Sequence, residues 1–267
     1  MQITENNGKI MNEQALHYQY QQGSPHQPTL VFLHGLFGDM NNLGIIAKGF
    51  SEQYNILRLD LRNHGQSFHS EQMNYPLMAQ DIYQLLEKLQ LKKVSLIGHS
   101  MGGKTAMQFT AQYPEQVEKL VVIDIAPIKY QQQRHQDVFA GLFAVKQAQV
   151  STRQQARPLL AQHIKDESII QFMLKSFDPS SSEKFRFNLT ALYQHYSALM
   201  DWQPCLVQQP TLFIKGGKSD YIQLKDRETI LAQFPQAQSF TINGADHWVH
   251  AEKPTQVIKS IERFLSI

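Results

Sequence analysis

Residues 98–105 read GHSMGGKT, and the spacing of serine, lysine and glycines there suits two incompatible chemistries. Gly98-His99-Ser100-Met101-Gly102 is a G-x-S-x-G elbow, which lifts Ser100 on a sharp strand-to-helix turn for attack on a carbonyl. Gly98 to Thr105 is also G-x-x-x-x-G-K-[ST], a P-loop that would cradle phosphates with backbone N–H groups and Lys104. Val121-Val122-Ile123-Asp124 favours the second reading, because an apolar strand ending in Asp is where a nucleotide-binding fold holds Mg²⁺.

Either motif needs a strand before it and a helix behind it. Residues 94–97 are a short apolar run of strand type, and Thr105, Met107, Phe109 and Ala111 continue a helix that stops before Pro114. The surrounding chain alternates in the same way. Leu16, Tyr18 and Tyr20 alternate with polar neighbours, as in an edge strand. Residues 29–33, 55–60 and 120–123 read as buried strands, with a weak helix through Ile45, Ile46 and Phe50. After Pro76, Met78, Ile82, Leu85, Leu86 and Leu89 keep helical spacing, and the proline suits a first turn whose N–H has no partner anyway. From about 130 to 202 no strand is predicted; helical stretches lie at 138–143, 159–164, 169–174 and 189–199, with a loop at 179–182. Alternation returns with a strand at 211–214, a helix over 227–234, a strand holding Phe240 and Ile242, and a closing helix carrying Val257, Ile258, Ile261 and Leu265. The expected architecture is α/β, a mostly parallel sheet with helices on both faces, interrupted by an all-helical segment.

Three features outside the motif decide for the elbow. His34-Gly35-Leu36-Phe37-Gly38 follows an early strand, where G-x-S-x-G enzymes place a loop that lends one oxyanion N–H, the other coming from the residue after the nucleophile. Gly244-Ala245-Asp246-His247-Trp248 follows the last strand and completes a chain order of serine, acid, histidine. A helix N-terminus beside Ser100 would favour the negative charge of a tetrahedral intermediate; phosphate exploits the same dipole, which is why the two motifs can coincide. Lys104 then reads as an ordinary helix residue whose amine could lie near a pocket mouth.

Composition fits this reading. With 267 residues, 42% hydrophobic and 18% charged, the chain is a globular protein long enough for one large domain with an insertion. A net charge of +2 gives no electrostatic case for nucleic acid or an anionic membrane. The lone cysteine, Cys205, rules out a disulfide framework and a cysteine metal site. The opening MQITENNGKI lacks an apolar stretch of signal length, so a cytoplasmic location is expected. The glutamine clusters 131–133 and 154–155 are too short to mean more than solvated surface.

A set of stretches then carries a closer resemblance: HGLFGDMNNLG (34–44), DLRNHGQS (60–67), MNYPLMAQD (73–81), IGHSMGGK (97–104), VVIDIAP (121–127), IQFMLKSF (170–177) and GADHWVHAEKP (244–254). Over nearly its whole length the chain resembles the α/β-hydrolase superfamily and, within it, the bacterial YbfF-type acyl esterases. The resemblance implies an α/β-hydrolase core at 1–126 and 203–267, with a helical cap inserted at 127–202 that sets acyl and alcohol size. It also implies a serine hydrolase with a Ser-His-Asp triad and no cofactor. Ser100 corresponds to the nucleophile and His247 to the base, with Leu36 and Met101 supplying the oxyanion N–H groups. The YbfF-type pattern takes its acid from Asp124, assisted by Ser219; many other superfamily members take it from the loop after the strand at 211–214, which here offers Asp220.

The implied substrate is a small acyl ester or acyl-CoA thioester, handled by a monomer or homodimer without nucleic acid, membrane or metal. His34, Phe139, Phe143 and Trp248 are candidate substrate contacts, although cap aromatics also have their own core to fill. His34 and His99 also read as loop packing, Asp246 as surface, and Arg62, Asn63 and His64 as either pocket lining or a polar turn. His250, three residues after His247, has no third ligand in sight for a metal. Two alternatives remain: a C–C bond hydrolase or lyase-type synthase on the same scaffold, and a non-catalytic binding protein that keeps the fold.

Overall fold

A computed structural model describes residues 15–24, 26–130 and 134–266; the opening ten residues and the glutamines at 131–133, both considered above, lie outside them. The first half runs β1 (Tyr18–Gln21), β2 (Thr29–Leu33), α1 (Gly44–Lys48), β3 (Asn55–Leu59), α2 (Tyr75–Lys88), β4 (Val94–His99), α3 (Met101–Gln112) and β5 (Val117–Ile123). Five helices follow before the sheet resumes: α4 (Gln136–Ala148), α5 (Arg153–Ala161), α6 (Glu167–Lys175), α7 (Leu189–Gln194) and α8 (Tyr196–Met200). The chain closes with β6 (Thr211–Gly216), α9 (Arg227–Gln233), β7 (Ala237–Ile242), α10 (Val249–Glu252) and α11 (Pro254–Leu265).

The strands form one sheet in the order β1-β3-β2-β4-β5-β6-β7, antiparallel only at β1–β3. This is the α/β architecture expected, with Tyr18 and Tyr20 on an edge strand. Because side chains alternate across a strand, each apolar run feeds both faces. Val31, Leu33, Leu57, Leu59, Leu96 and Val122 pack with Met78, Ile82 and Leu86 of α2 and Met107 and Phe109 of α3. Leu30, Phe32, Ile56, Ile97, Val121 and Ile214 pack with Ile46 of α1 and Val257, Ile261 and Phe264 of α11. Chain order reverses at β2, with β3 on one side and β4 on the other, and crevices at the carboxyl ends of such strands are where open α/β sheets bind ligands.

Local signals place the helix starts. The Asn74 side chain accepts the Leu77 N–H at 2.9 Å, capping α2 with Pro76 in the first turn. Thr152 caps α5, which therefore spans Arg153–Ala161 and ends before the predicted stretch at 159–164 does. The stretch at 189–199 is two helices, α7 and α8, broken at His195, whose ring reaches the Glu71 carbonyl at 2.6 Å. Between α6 and α7 a single antiparallel bridge joins Phe177 to Phe185. No helix among the described residues is long and apolar enough to cross a membrane.

Candidate active site

The elbow is built by close backbone approach. A Cβ on Gly98 would lie 2.3 Å from the Gly102 carbonyl oxygen, and one on Gly102 would lie 2.3 Å from that of Leu33, so both positions need glycine. Between them Ser100 is held at φ 53°, ψ −119°, a conformation costly for a residue with a Cβ. Its N–H donates to the Ile123 carbonyl at 3.0 Å, tying the bend to β5. A serine preceding a helix usually caps it with its side chain. Ser100 does not, and its hydroxyl faces His247 instead.

The His247 ring lies between two groups: Nδ1 is 2.8 Å from Asp124 Oδ2 and Nε2 is 3.1 Å from Ser100 Oγ. Asp124, fully buried at the end of β5, also has φ 53°. Its Oδ1 accepts the Gly216 N–H at 2.9 Å, and its Oδ2 accepts the Ser219 hydroxyl. Burial raises the Asp124 carboxyl above the usual range, outweighing the Ser219 and Gly216 hydrogen bonds. Burial likewise pushes the His247 imidazole well down, with the nearby Arg134 cation acting in the same direction. The ring is therefore neutral at physiological pH, with Nδ1–H donating to Asp124 and the Nε2 lone pair free for a proton.

Asp220 does not reach this ring. Its side chain is 65% exposed, and its carboxylate accepts two hydrogen bonds of 2.7 Å from Arg134. Asp246 is exposed and accepts the backbone N–H of His247 at 2.7 Å.

Two buried histidines brace the loop after β2. His34 Nε2 accepts the Leu61 N–H at 3.0 Å, which places the proton on Nδ1, 2.8 Å from the Gly35 carbonyl. His64 Nε2 accepts the Phe37 N–H at 3.2 Å, and its Nδ1–H donates to the Arg62 carbonyl at 2.9 Å. Burial lowers both pKa values, so both act as neutral fixtures. Phe37, at φ 64°, turns the loop so that Leu36 joins Ser100 and Met101 at one end of a narrow cavity. Among the described residues neither the Leu36 nor the Met101 N–H donates to a protein acceptor.

The cavity's other walls were not legible as such. Tyr75 and Ile125 come from the core; Tyr130, His135, Tyr196, Leu199 and Met200 come from the chain between β5 and β6. Tyr221 stacks on His247 with ring centroids 3.8 Å apart and planes 15° apart. Of the expected substrate contacts, none lines this cavity. His34 is spent on its loop; Phe139 is buried against Phe37, Tyr193 and Tyr196; Phe143 packs on Tyr193; Trp248 packs on Phe172. Each fills space among neighbouring elements. Arg62, Asn63 and His64 form a polar turn: Arg62 pairs with buried Asp81 at 2.6 Å, and Asn63 Oδ1 accepts the Ser70 N–H at 2.7 Å. His99 Nε2–H donates to the His247 carbonyl at 3.0 Å, and His250 packs on the His99 ring at 4.3 Å.

Lys104 is not an ordinary helix residue. It is 1% exposed, and its ammonium donates to the carbonyls of Ile128 at 2.9 Å, Asp201 at 2.9 Å and Met200 at 3.4 Å. Burial lowers its pKa to about 7. Three donors meet three acceptors, and no hydrogen remains for a phosphate.

Comparison with known proteins shows the family. Residues 28–254 match the model of the alpha/beta hydrolase fold family. A Haemophilus influenzae protein with a provisional esterase/lipase name is 59% identical over 99% of this chain and 93% of its own length. Esterase YbfF of Escherichia coli is 44% identical over 92% of this chain and 96% of its own. A solved structure titled as a marine microorganism esterase superimposes with a TM-score of 0.88 at 34% identity, covering 94% of this chain and 99% of that one.

Proposed function

Since the chain belongs to the α/β-hydrolase family, we propose that it cleaves acyl esters through a covalent acyl-enzyme, with Ser100 as nucleophile, His247 as base and Asp124 as acid. The protein is a carboxylic ester hydrolase, like the esterases it resembles; the proposal concerns how it works. One observation carries it: a single imidazole within hydrogen-bonding distance of both a buried carboxylate and a hydroxyl on a strained turn.

In this reading His247 Nε2 takes the Ser100 proton as Oγ adds to the acyl carbonyl. Asp124 holds the tautomer and stabilises the imidazolium without taking the proton. The carbonyl oxygen becomes an oxyanion and accepts hydrogen bonds from the Leu36 and Met101 N–H groups, each typically worth about 2.7–4 kcal/mol of barrier. His247 then protonates the departing alcohol and the acyl-enzyme forms. Water, deprotonated by the same nitrogen, adds to the acyl carbonyl; the intermediate collapses to the free acid and releases Ser100, whose Oγ takes that proton back from His247. Ser219 keeps the Asp124 carboxylate oriented.

The helices between β5 and β6 act as the cap, and their residues bound the acyl group. Acyl-CoA thioesters belong to the same proposal as a second substrate class, because the same oxyanion site serves a thiolate leaving group. A cytoplasmic location is part of it too, in keeping with the lone cysteine; cell fractionation tests that point. The decisive experiment is fluorophosphonate labelling with a panel of p-nitrophenyl esters and acyl-CoA thioesters. Covalent labelling at Ser100, lost in Ser100→Ala together with turnover, is the expected result; turnover surviving in Ser100→Ala would refute the mechanism.

A further inference from the structure

Arg134 belongs to the segment leading into α4, yet it reaches the site from the cap side. Its guanidinium forks onto Asp220 with two hydrogen bonds of 2.7 Å. The guanidinium carbon is also 4.3 Å from the centre of the Tyr221 ring, and that ring is stacked on His247 at 3.8 Å. The cation and the imidazole thus share one aromatic spacer. A surface bridge of this kind adds little to stability, particularly with Asp220 so exposed. Its placement matters more, because a cation close to an imidazole opposes a second positive charge there.

We propose that Arg134 is a positioning residue that sets how readily His247 accepts a proton, so that docking of the cap adjusts the catalytic base. The inference rests on His247 being that base. The charges around the ring are few. Asp124 from the end of β5, Asp220 from the loop after β6 and Asp246 beside His247 favour a protonated ring. Arg134 and His135 from the cap, His99 from β4 and His250 from α10 oppose it. Only Arg134 among the opposing groups is a permanent cation, and it acts on His247 in the same direction as burial. Asp220 is paired with the cation and its charge acts on the ring in the opposite sense, so it partly cancels what Arg134 does. Tyr221, touching both, is the spacer between them.

This arrangement makes a prediction that a simple latch does not. Arg134→Gln and Asp220→Asn break the same bridge, but they remove opposite charges. The test is the pH dependence of kcat/KM on a short p-nitrophenyl ester at low salt, for wild type, both variants and Arg134→Lys. Arg134→Gln should move the acid limb up by about half a pH unit, and Asp220→Asn should move it down by a similar amount. Arg134→Lys should stay near wild type, and 1 M salt should shrink all the differences. Shifts of the same sign in the two bridge-breaking variants, no shift in either, or a lysine variant that behaves like the glutamine one would overturn the proposal. A wild type with no acid limb at all is a different failure, since it would remove His247 as base and the inference with it.

Discussion

The sheet core and the helical insert hold their polar groups differently. In the core, Ser100, Asp124 and His34 sit at the ends of adjacent parallel strands, each fixed by backbone hydrogen bonds from a neighbouring strand or loop. In the insert, the groups that line the cavity with Ser100 are mostly rings and aliphatic side chains, with Tyr130, Tyr196, Leu199 and Met200 forming walls. Where they carry a polar atom it is spent nearby: the Tyr196 hydroxyl is 2.7 Å from His135 Nδ1, and the Tyr130 hydroxyl accepts the Ala126 N–H at 2.8 Å. The core therefore holds its polar atoms through backbone hydrogen bonds, while the insert shapes space. Damage to the first region should appear in kcat, and damage to the second in selectivity or stability.

The largest expected effect tests the core. Ser100→Ala and His247→Ala should each lower kcat by about 10⁵–10⁶ with unchanged circular dichroism, since members of such a unit fail together. Next comes the contrast between two aspartates. Asp124→Asn should cost about 10⁴ in kcat by leaving the imidazole in the wrong tautomer, whereas Asp220→Asn should cost less than about tenfold. Equal losses would erase the distinction between buried strand end and exposed loop.

Lys104 joins the two regions, so Lys104→Met should act on stability more than chemistry. It leaves the half-buried Ile128 and Asp201 carbonyls without this donor, while the Met200 carbonyl keeps the Tyr130 N–H; the cost is about 2–3 kcal/mol, and Tm should fall by about 5–10 °C in a calorimetric scan. Smaller again, Met200→Ala should raise the preference for longer p-nitrophenyl acyl chains by roughly tenfold, with kcat on acetate ester nearly unchanged. A fall in kcat without altered preference would place Met200 with the chemistry. Last is pH. In the proposed mechanism the neutral imidazole is the active form, so activity should fall as pH drops through its pKa. Burial depresses that pKa, and the acid limb of kcat/KM should therefore lie below about 6.5, the unperturbed histidine value. A limb at or above pH 7 would contradict it.

The strands are legible because a strand buried on both faces must be apolar at nearly every position, as 29–33 and 94–97 are. Ser100 is legible because its neighbours must be glycine, a constraint set by backbone distances and so written into the sequence. The cavity walls are not: a tyrosine or leucine at helical spacing looks the same whether it fills a core, as Phe139 does, or faces a void, as Leu199 does. Lys104 is opaque for another reason. Its partners are carbonyls, which every residue has, and two of them lie nearly a hundred residues downstream. Asp124 at a strand end and Asp220 on a loop are both acids where the third group could stand, and the sequence does not show that Gly216 and Ser219 hold the first on the histidine while Arg134 holds the second away.

The insert also enters and leaves at one point, for the carbonyls of Ile128 and Asp201 share one ammonium. Around that point β5 and β6 pair directly, Ile123 opposite Ile214. What lies between is thus free to be exchanged as a unit, since even doubling its length would cost only about 0.6 kcal/mol in closure entropy. A lineage can refit such a scaffold to new molecules by swapping one cassette, while the machinery beneath stays as it was inherited.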